Sequence, residues 1–492
     1  MERYFWRWAS VIVALFLAAS IARDLRNKMW FDQLCTLFIA RQANPVEIVK
    51  ATLEGCDGAP PLYSTIVHSI LPIVKSDELA VRLPSTLGFC AMILGLLAIC
   101  RRRMSAVYSI ATAMLASELC FYYSTEGRCY GAVLGCAAVA LLCWQRAAEG
   151  RRRGVSITLL ALCLALMVAF HTFAIFFLAP LFLGEMVRAW ESGKLDIPIL
   201  AAMTPALFVL GLHYPFIVAG RRFTAHYWSP ASLSLIVKSH DVPFLYPLMC
   251  LLLLALVAVI VLTKPPAEVI DREKATPIYE WVVLVTLWLM RPAVIVISTY
   301  TTHVYVSRYT LWAMIGFAIL AGKLLHIAAR GQAAVGLALL AVLSVWIGWQ
   351  EIGSLLQKPS LREGEAVLRE LEKLPDGNER IVVPSHHVFV ELSYYAEPRI
   401  RGRLVNPVSR ELDLRYLGFD SEAMIMDALS HRTTLDFEKS EKFLAENPRF
   451  IVAIRSGDYL LNYLDAAGYR VVPIDPPAAP PLLYEAEARK EN

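Results

Sequence analysis

The stretch Leu79–Cys100 reads LAVRLPSTLGFCAMILGLLAIC and runs directly into Arg101-Arg102-Arg103. About 20 mostly apolar residues cross a hydrocarbon core roughly 30 Å thick, and this run, polar chiefly at Arg82, meets that test. Working outward, ten further segments approach it: Trp8–Ala22, Met104–Phe121, Tyr130–Trp144, Val155–Phe170, Thr172–Val187, Ile197–Gly220, Phe244–Thr263, Ile278–Tyr300, Tyr309–Gly322 and Ala333–Gln350. The sequence thus predicts an α-helical polytopic membrane body over residues 1–350 with about eleven spans, ten to thirteen being admissible. Composition agrees. The 492 residues are 57% apolar and 18% charged, with a mean hydropathy of +0.51, where a soluble domain is about 25% charged. Of the 47 basic and 43 acidic residues, about 40 lie beyond residue 358. A tail of soluble composition, residues 351–492, therefore follows the body. A net charge of +4 spread over this length is no basic footprint, which argues against nucleic acid as a partner.

Arginine and lysine in short loops set orientation. Arg3 and Arg7, Arg101-Arg102-Arg103, Arg146 with Arg151-Arg152-Arg153, and Lys264, Arg272 and Lys274 fall on one side if the spans alternate. That side is cytoplasmic by the positive-inside rule, and an odd span count puts the tail outside. The expected location is a bacterial inner (plasma) membrane. The N-terminal apolar run reads as an anchor, since no small-residue cleavage site follows Ile21-Ala22-Arg23. The first external loop, about residues 23–78, is long. Phe31–Arg41 and Val46–Leu53 have helical apolar spacing and Pro61–Val74 is apolar, which suggests short amphipathic helices lying along the interface. A second external feature is the tight turn Tyr122–Cys129.

The tail alternates helix and strand signals. Glu363–Leu374 reads as an amphipathic helix, Arg380–Pro384 and Phe450–Ile454 as strands, Tyr459–Ala467 as a helix stopped by Gly468, and Tyr469–Val472 as a strand. That order predicts a small α/β domain, ending in a loose Pro-rich stretch, Pro473–Pro481. His386-His387 falls in a strand-like run, where neighbours point to opposite faces, so a structural role is expected there rather than a shared metal. None of the ten Cys shows C-x-x-C spacing; Cys35 and Cys56 share the external loop and either pair or stay free.

The acidic residues on the external side are few: Asp32 in Phe31-Asp32-Gln33, Asp57 before Gly58-Ala59-Pro60-Pro61-Leu62-Tyr63, Asp77-Glu78 before the second span, and Glu126 in Tyr123-Ser124-Thr125-Glu126-Gly127-Arg128-Cys129-Tyr130. Asp77 is best placed to cap a helix. Asp32 and Glu126 lie among aromatic residues, where desolvating a carboxylate is costly and often marks function. With Arg308-Tyr309 and Ser76–Ser85, these motifs resemble the GT-C membrane glycosyltransferases. The resemblance is greatest to the dolichyl-phosphate-mannose–protein mannosyltransferase and lipid A aminoarabinose transferase group. It runs in order over residues 1–350 and more loosely over the tail.

The resemblance implies inverting transfer of a sugar from a polyprenyl-phosphate-linked donor, within membrane lipid, to an extracytoplasmic acceptor: a lipid, a protein or a glycan. A phosphate leaving group needs no general acid, so one base suffices, and Asp32 is the candidate catalytic residue. The departing phosphate calls for cations, which arginine supplies bidentately. Arg128 and Arg308 are candidates at the external face, and Arg291 within a span, where snorkelling is the alternative; Arg221-Arg222 could reach the phosphate from a loop. Arg82 is expected to anchor the first loop. Glu126 would orient sugar hydroxyls, and Asp57, Tyr63, Tyr123, His171 and Tyr309 would line the substrate site. The chain departs from the family pattern at Gln33, where relatives carry Glu, and at Ala59, where many carry His or Lys. No cofactor is demanded; a divalent metal would fall to Asp32 and Glu126, with the uncharged Gln33 weakening its hold. Two other classes stay open: a transporter or flippase of lipid-linked saccharides, and a non-catalytic relative.

Overall fold

The computed structural model describes residues 2–238, 245–263, 276–455, 459–474 and 481–489. Phe244, Lys264, Arg272 and Lys274, and residues 475–480 of the Pro-rich end, lie outside the described residues. The apolar segments fold as helices throughout. In chain order the body has α1 (Phe5–Arg26), the first-loop helices α2 (Phe31–Ala40), α3 (Pro45–Glu54) and α4 (Leu62–Ile70), then α5 (Asp77–Arg101), α6 (Ala106–Leu119), α7 (Tyr130–Ala148) and α8 (Arg153–Phe170). It continues with α9 (Leu178–Ser192), the broken run α10 (Ile197–Ala201), α11 (Thr204–Leu212) and α12 (Tyr214–Gly220), and α13 (Leu245–Thr263), α14 (Ile278–Tyr300), α15 (Ala313–Ala328) and α16 (Ala333–Leu356).

Among the described residues eight helices are long and apolar enough to cross a membrane, or nine if a pair bent by 47° within 197–223 counts as one span. By length and composition the described residues thus support eight or nine of the expected eleven spans. The shortfall is α6 and α15, of 14 and 16 residues. At 1.5 Å per residue these extend only about 21 and 24 Å, less than a bilayer core. Both are buried over most of their length. Composition alone does not separate a helix that crosses lipid from one enclosed by other helices.

Small residues set the closest packing. Gly88 on α5 and Gly131 and Gly135 on α7 let the two backbones touch: a Cβ at Gly88 would lie 2.5 Å from the Gly131 carbonyl oxygen, and Cβ atoms at Gly131 and Gly135 would collide with Ser85 and Gly88. Such contacts are how helices associate where lipid removes the hydrophobic drive. Ser85 reinforces the seam, accepting from the Gly131 N–H at 3.1 Å and donating to the Tyr123 carbonyl at 3.2 Å.

The first loop departs from expectation in its surroundings. Helix α2 does not lie half exposed along an interface: eight of its ten residues are buried, because the tail packs over its outer side. Arg82, 3% exposed, anchors the loop as expected. Its guanidinium donates twice to Gln33 Oε1, at 3.0 and 2.8 Å, and to the carbonyls of Asp24, Asn27 and Lys28. The cap of α5 is Ser76, whose hydroxyl accepts from Leu79 N–H at 3.2 Å, not Asp77. Asp77 instead pairs with Arg41 at 2.6 Å and accepts from the Tyr394 hydroxyl.

The tail carries a six-stranded sheet of β1 (Ile381–Val382), β2 (Leu404–Val408), β3 (Phe437–Lys439), β4 (Arg449–Ala453), β5 (Tyr469–Pro473) and β6 (Leu483–Ala488), ordered β3-β2-β1-β4-β6-β5. The first four strands are parallel and β6 is antiparallel to both neighbours. Its helices are α17 (Glu365–Leu371), α18 (His386–Tyr395), α19 (Pro398–Arg401), α20 (Arg410–Tyr416), α21 (Ser421–Ser430), α22 (Ser440–Glu446) and α23 (Leu460–Ala466). The order of strands reverses between β1 and β4, the point where doubly wound sheets commonly receive ligands. His386-His387 opens α18 rather than lying in a strand. Its β-branched flank favours extended structure locally, but Val388, Phe389 and Leu392 bury a helical face. The two rings serve different partners: His386 contacts Asn406 at 3.0 Å and Asp413 at 3.1 Å, and His387 contacts Glu363 and Glu422. All ten Cys, Cys35 and Cys56 among them, are free.

Candidate active site

Helix α2 begins after Trp30, which offers no side-chain cap, and presents Asp32 in its first turn. The 3-10 turn Ser307–Thr310 brings Arg308 to 3.3 Å from Asp32 Oδ2, both side chains 18% exposed. That oxygen makes no hydrogen bond, so the pair is held by charge alone. Arg308 also lies 5.8 Å from the centre of the Tyr130 ring.

Below this pair sits the turn that joins the Phe121–Ser124 3-10 segment to α7. It carries Glu126, 1% exposed, with neither carboxyl oxygen hydrogen-bonded. An unpartnered buried carboxyl is costly, and such groups call for an explanation. Burial, reinforced by Asp32 and opposed by Arg308 and Arg128, pushes this carboxyl up to about 7. The folded chain thus keeps a proton that the unfolded chain releases above about 4.5. Stability is fully present below that pH and is lost as pH rises through about 7. In Glu126→Gln the penalty is absent, so its thermal midpoint in detergent should gain on the parent between pH 5 and pH 8. A gap that is flat or shrinks over that range would show that Glu126 does not titrate there.

Two residues along, Arg128 is committed. It forms a bidentate pair with Asp57 at 2.5 and 2.7 Å and donates to Thr36 Oγ1 at 3.1 Å. Asp57 also accepts from the Ala59 N–H at 3.0 Å. Arg128 and Asp57 thus tie the start of α4 to the turn carrying Glu126. An aromatic wall closes the site. Tyr123 packs on Tyr130, Tyr130 on His171, and His171 on Tyr309 at 4.9 Å between centroids. The Tyr309 hydroxyl meets that of Tyr227 at 3.2 Å. Burial, with the nearby cations Arg128 and Arg308, lowers His171 to about 3, so its ring is neutral and offers shape and one acceptor rather than charge.

Asp32, Asp57, Glu126, Arg128, His171, Arg308, Tyr309 and Tyr123 are thereby brought into one neighbourhood. Tyr63 and Arg291 are not used in the same way. The Tyr63 hydroxyl is spent on the Val81 carbonyl at 2.8 Å, making it a packing residue of α4. Arg291 lies within α14, 7% exposed. Arg222 is bound to the carbonyls of Leu53 and Glu54 at the end of α3. Sequence reasoning missed Arg362, which follows α16, donates to the Tyr122 hydroxyl at 2.5 Å and lies 4.3 Å from the Trp30 ring. No spacing marks it; only the folded tail brings it to the cleft.

The departure at Gln33 has a structural meaning. Position 33 faces Arg82 and not the cleft, so an amide there removes no carboxylate from beside Asp32. A divalent cation fits poorly. Asp32 is occupied with a guanidinium, Glu126 favours its protonated form, and among the described residues no three His, Cys, Asp or Glu side chains gather.

Residues 58–215, which include the turn of Glu126 and Arg128, match the family model of dolichyl-phosphate-mannose-protein mannosyltransferase. The apo structure of ArnT from Cupriavidus metallidurans superposes with a TM-score of 0.53 at 13% identity, covering 98% of this chain and 97% of that one. The chain shares the fold of that ArnT. With its eight or nine membrane-length apolar helices among the described residues, it is a multi-pass membrane protein, and the Asp32–Arg308 pair lies between the first loop and the later helices. Two further similarities are to ArnT of the same organism bound to undecaprenyl phosphate (TM-score 0.44, 12% identity, 98% and 97% covered) and to the oligosaccharyltransferase of Archaeoglobus fulgidus in complex with Zn and sulfate (0.45, 10%, 90% and 68%). No curated protein matches the sequence.

Proposed function

We propose that this GT-C chain transfers a sugar, with inversion, from a polyprenyl-phosphate-linked donor to an extracytoplasmic acceptor, in a bacterial inner membrane with the tail outside. The observation that supports this most is the Asp32–Arg308 pair, backed by the buried, unpartnered Glu126. An arriving lipid phosphate competes with Asp32 for the Arg308 guanidinium, leaving the carboxylate free to act on the acceptor. The acceptor hydroxyl or amine then attacks the anomeric carbon and gives its proton to Asp32. The bond from that carbon to the phosphate oxygen breaks as the new one forms. Both electrons of the broken bond leave with the phosphate, whose growing charge Arg308 stabilises at short range and Arg128 at longer range. Glu126 takes hydrogen bonds from the sugar, and the Tyr130, His171 and Tyr309 rings cover its apolar faces.

Reconstitution tests the reading. Purified protein in vesicles, given a radiolabelled polyprenyl-phosphate sugar and an extract of envelope lipids and glycans, should release free polyprenyl phosphate and label an acceptor. Label that crosses the bilayer still joined to its carrier, with no acceptor modified, would instead identify a transporter.

A further inference from the structure

The tail touches every residue leading into the proposed base. Lys28 pairs with Glu365 at 3.9 Å, and Met29 N–H donates to the Tyr395 hydroxyl at 2.7 Å. Trp30 lies under Arg362, and Phe31 stacks on His387 with centroids 4.2 Å apart and planes at 27°. Helix α2 needs such support. Its N-cap Trp30 supplies no capping hydrogen bond, so the direction of the first turn, where Asp32 sits, is left to the Arg82 contacts with Gln33 and to what packs on residues 28–31.

The stack itself is braced on both sides. His387 Nδ1 lies 3.0 Å from Glu363 and Nε2 3.4 Å from Glu422, and Glu363 is held in turn by Arg455 at 2.5 Å. These carboxylates, outweighing burial, push the His387 ring up to about 10, so it is cationic at neutral pH and donates from both nitrogens. His387 follows β1 and Arg455 follows β4. The brace thus stands at the carboxyl edge of the sheet where the strand order reverses, and the group received there is Phe31 of the membrane body.

We infer that His387 is a positioning residue for Asp32: held by Glu363 and Glu422, it clamps Phe31 and sets the direction of the α2 first turn. The tail is then part of the catalytic geometry. This rests on the reading of Asp32 as the base.

The test measures donor turnover by full-length protein in vesicles, with the detergent elution profile confirming the fold. His387→Ala should lower kcat by about 10- to 100-fold, since misplacement by about 1 Å costs on that order, while KM for the donor stays within about 3-fold. His387→Arg should restore kcat to within about 3-fold of the parent, because a planar guanidinium can both stack on Phe31 and bind the two carboxylates. Phe31→Leu keeps apolar bulk without the stack and should reproduce the kcat loss, which covers the case in which His387→Ala does not fold. Parental kcat in either folded variant would overturn the inference. So would a failed Arg rescue, or a raised KM at unchanged kcat. Asp32→Asn run alongside separates the two ideas: if it stays active the base assignment falls, whereas if it is dead and His387→Ala is fully active only the clamp falls.

Discussion

Asp32→Asn is expected to lower sugar transfer by about 10²- to 10⁴-fold, the range lost when a positioned general base is removed, while the protein still inserts and elutes as the parent does. The substitution preserves shape. The local helix turn is held through the Asp32 backbone carbonyl, which accepts from Thr36 Oγ1 at 3.0 Å, so the side chain carries no fold-sustaining bond. Asparagine cannot accept the acceptor's proton, and it also withdraws the negative partner of Arg308. Donor affinity should therefore hold or improve while the chemical step slows. Single-turnover release of polyprenyl phosphate at saturating donor measures that step directly. Release at the parental rate would remove Asp32 from the reaction.

Arg308→Gln should cost about 10²- to 10³-fold in kcat, as expected for one charge-stabilising donor aimed at a developing anion. The guanidinium is the cation nearest to Asp32, and its Nε makes no hydrogen bond, leaving it free to meet an incoming phosphate. Lysine should recover only part of the loss, because a point charge does not reproduce the planar fork. A donor with pyrophosphate in place of phosphate, being the better leaving group, should suffer less in the variant. Equal losses with both donors would move Arg308 from the leaving group to the support of Asp32.

Much of the candidate site could be read from residue type and side of the membrane. Asp32, Glu126, Arg128 and Arg308 stand out because charged groups among interfacial aromatics are expensive. Arg82 could be read as an anchor because it sits at the mouth of an apolar span. The errors share one cause. The shortness of α6 and α15, the burial of α2 and the helical start at His386 are all decided by what packs alongside, and a linear reading weighs each segment alone. Arg362 left no signal and His387 only that of a structural residue, because their partners Trp30 and Phe31 lie more than three hundred residues away in sequence.

The glycine seam between α5 and α7 has a mechanical consequence. Ser85, Thr86 and Arg82 on α5 bind Tyr123, Ser124 and Gln33, so the turn before Glu126 and the first turn of α2 beside Asp32 ride on a single stiff frame. Arg308 belongs to a separate brace, in which the Tyr305 hydroxyl meets Thr310 at 2.6 Å and Ser229 grips the Tyr305 carbonyl. The two supports meet at the Asp32–Arg308 ion contact and at the Tyr130, His171 and Tyr309 rings, so any widening between them has to loosen that ion contact and slide those rings apart.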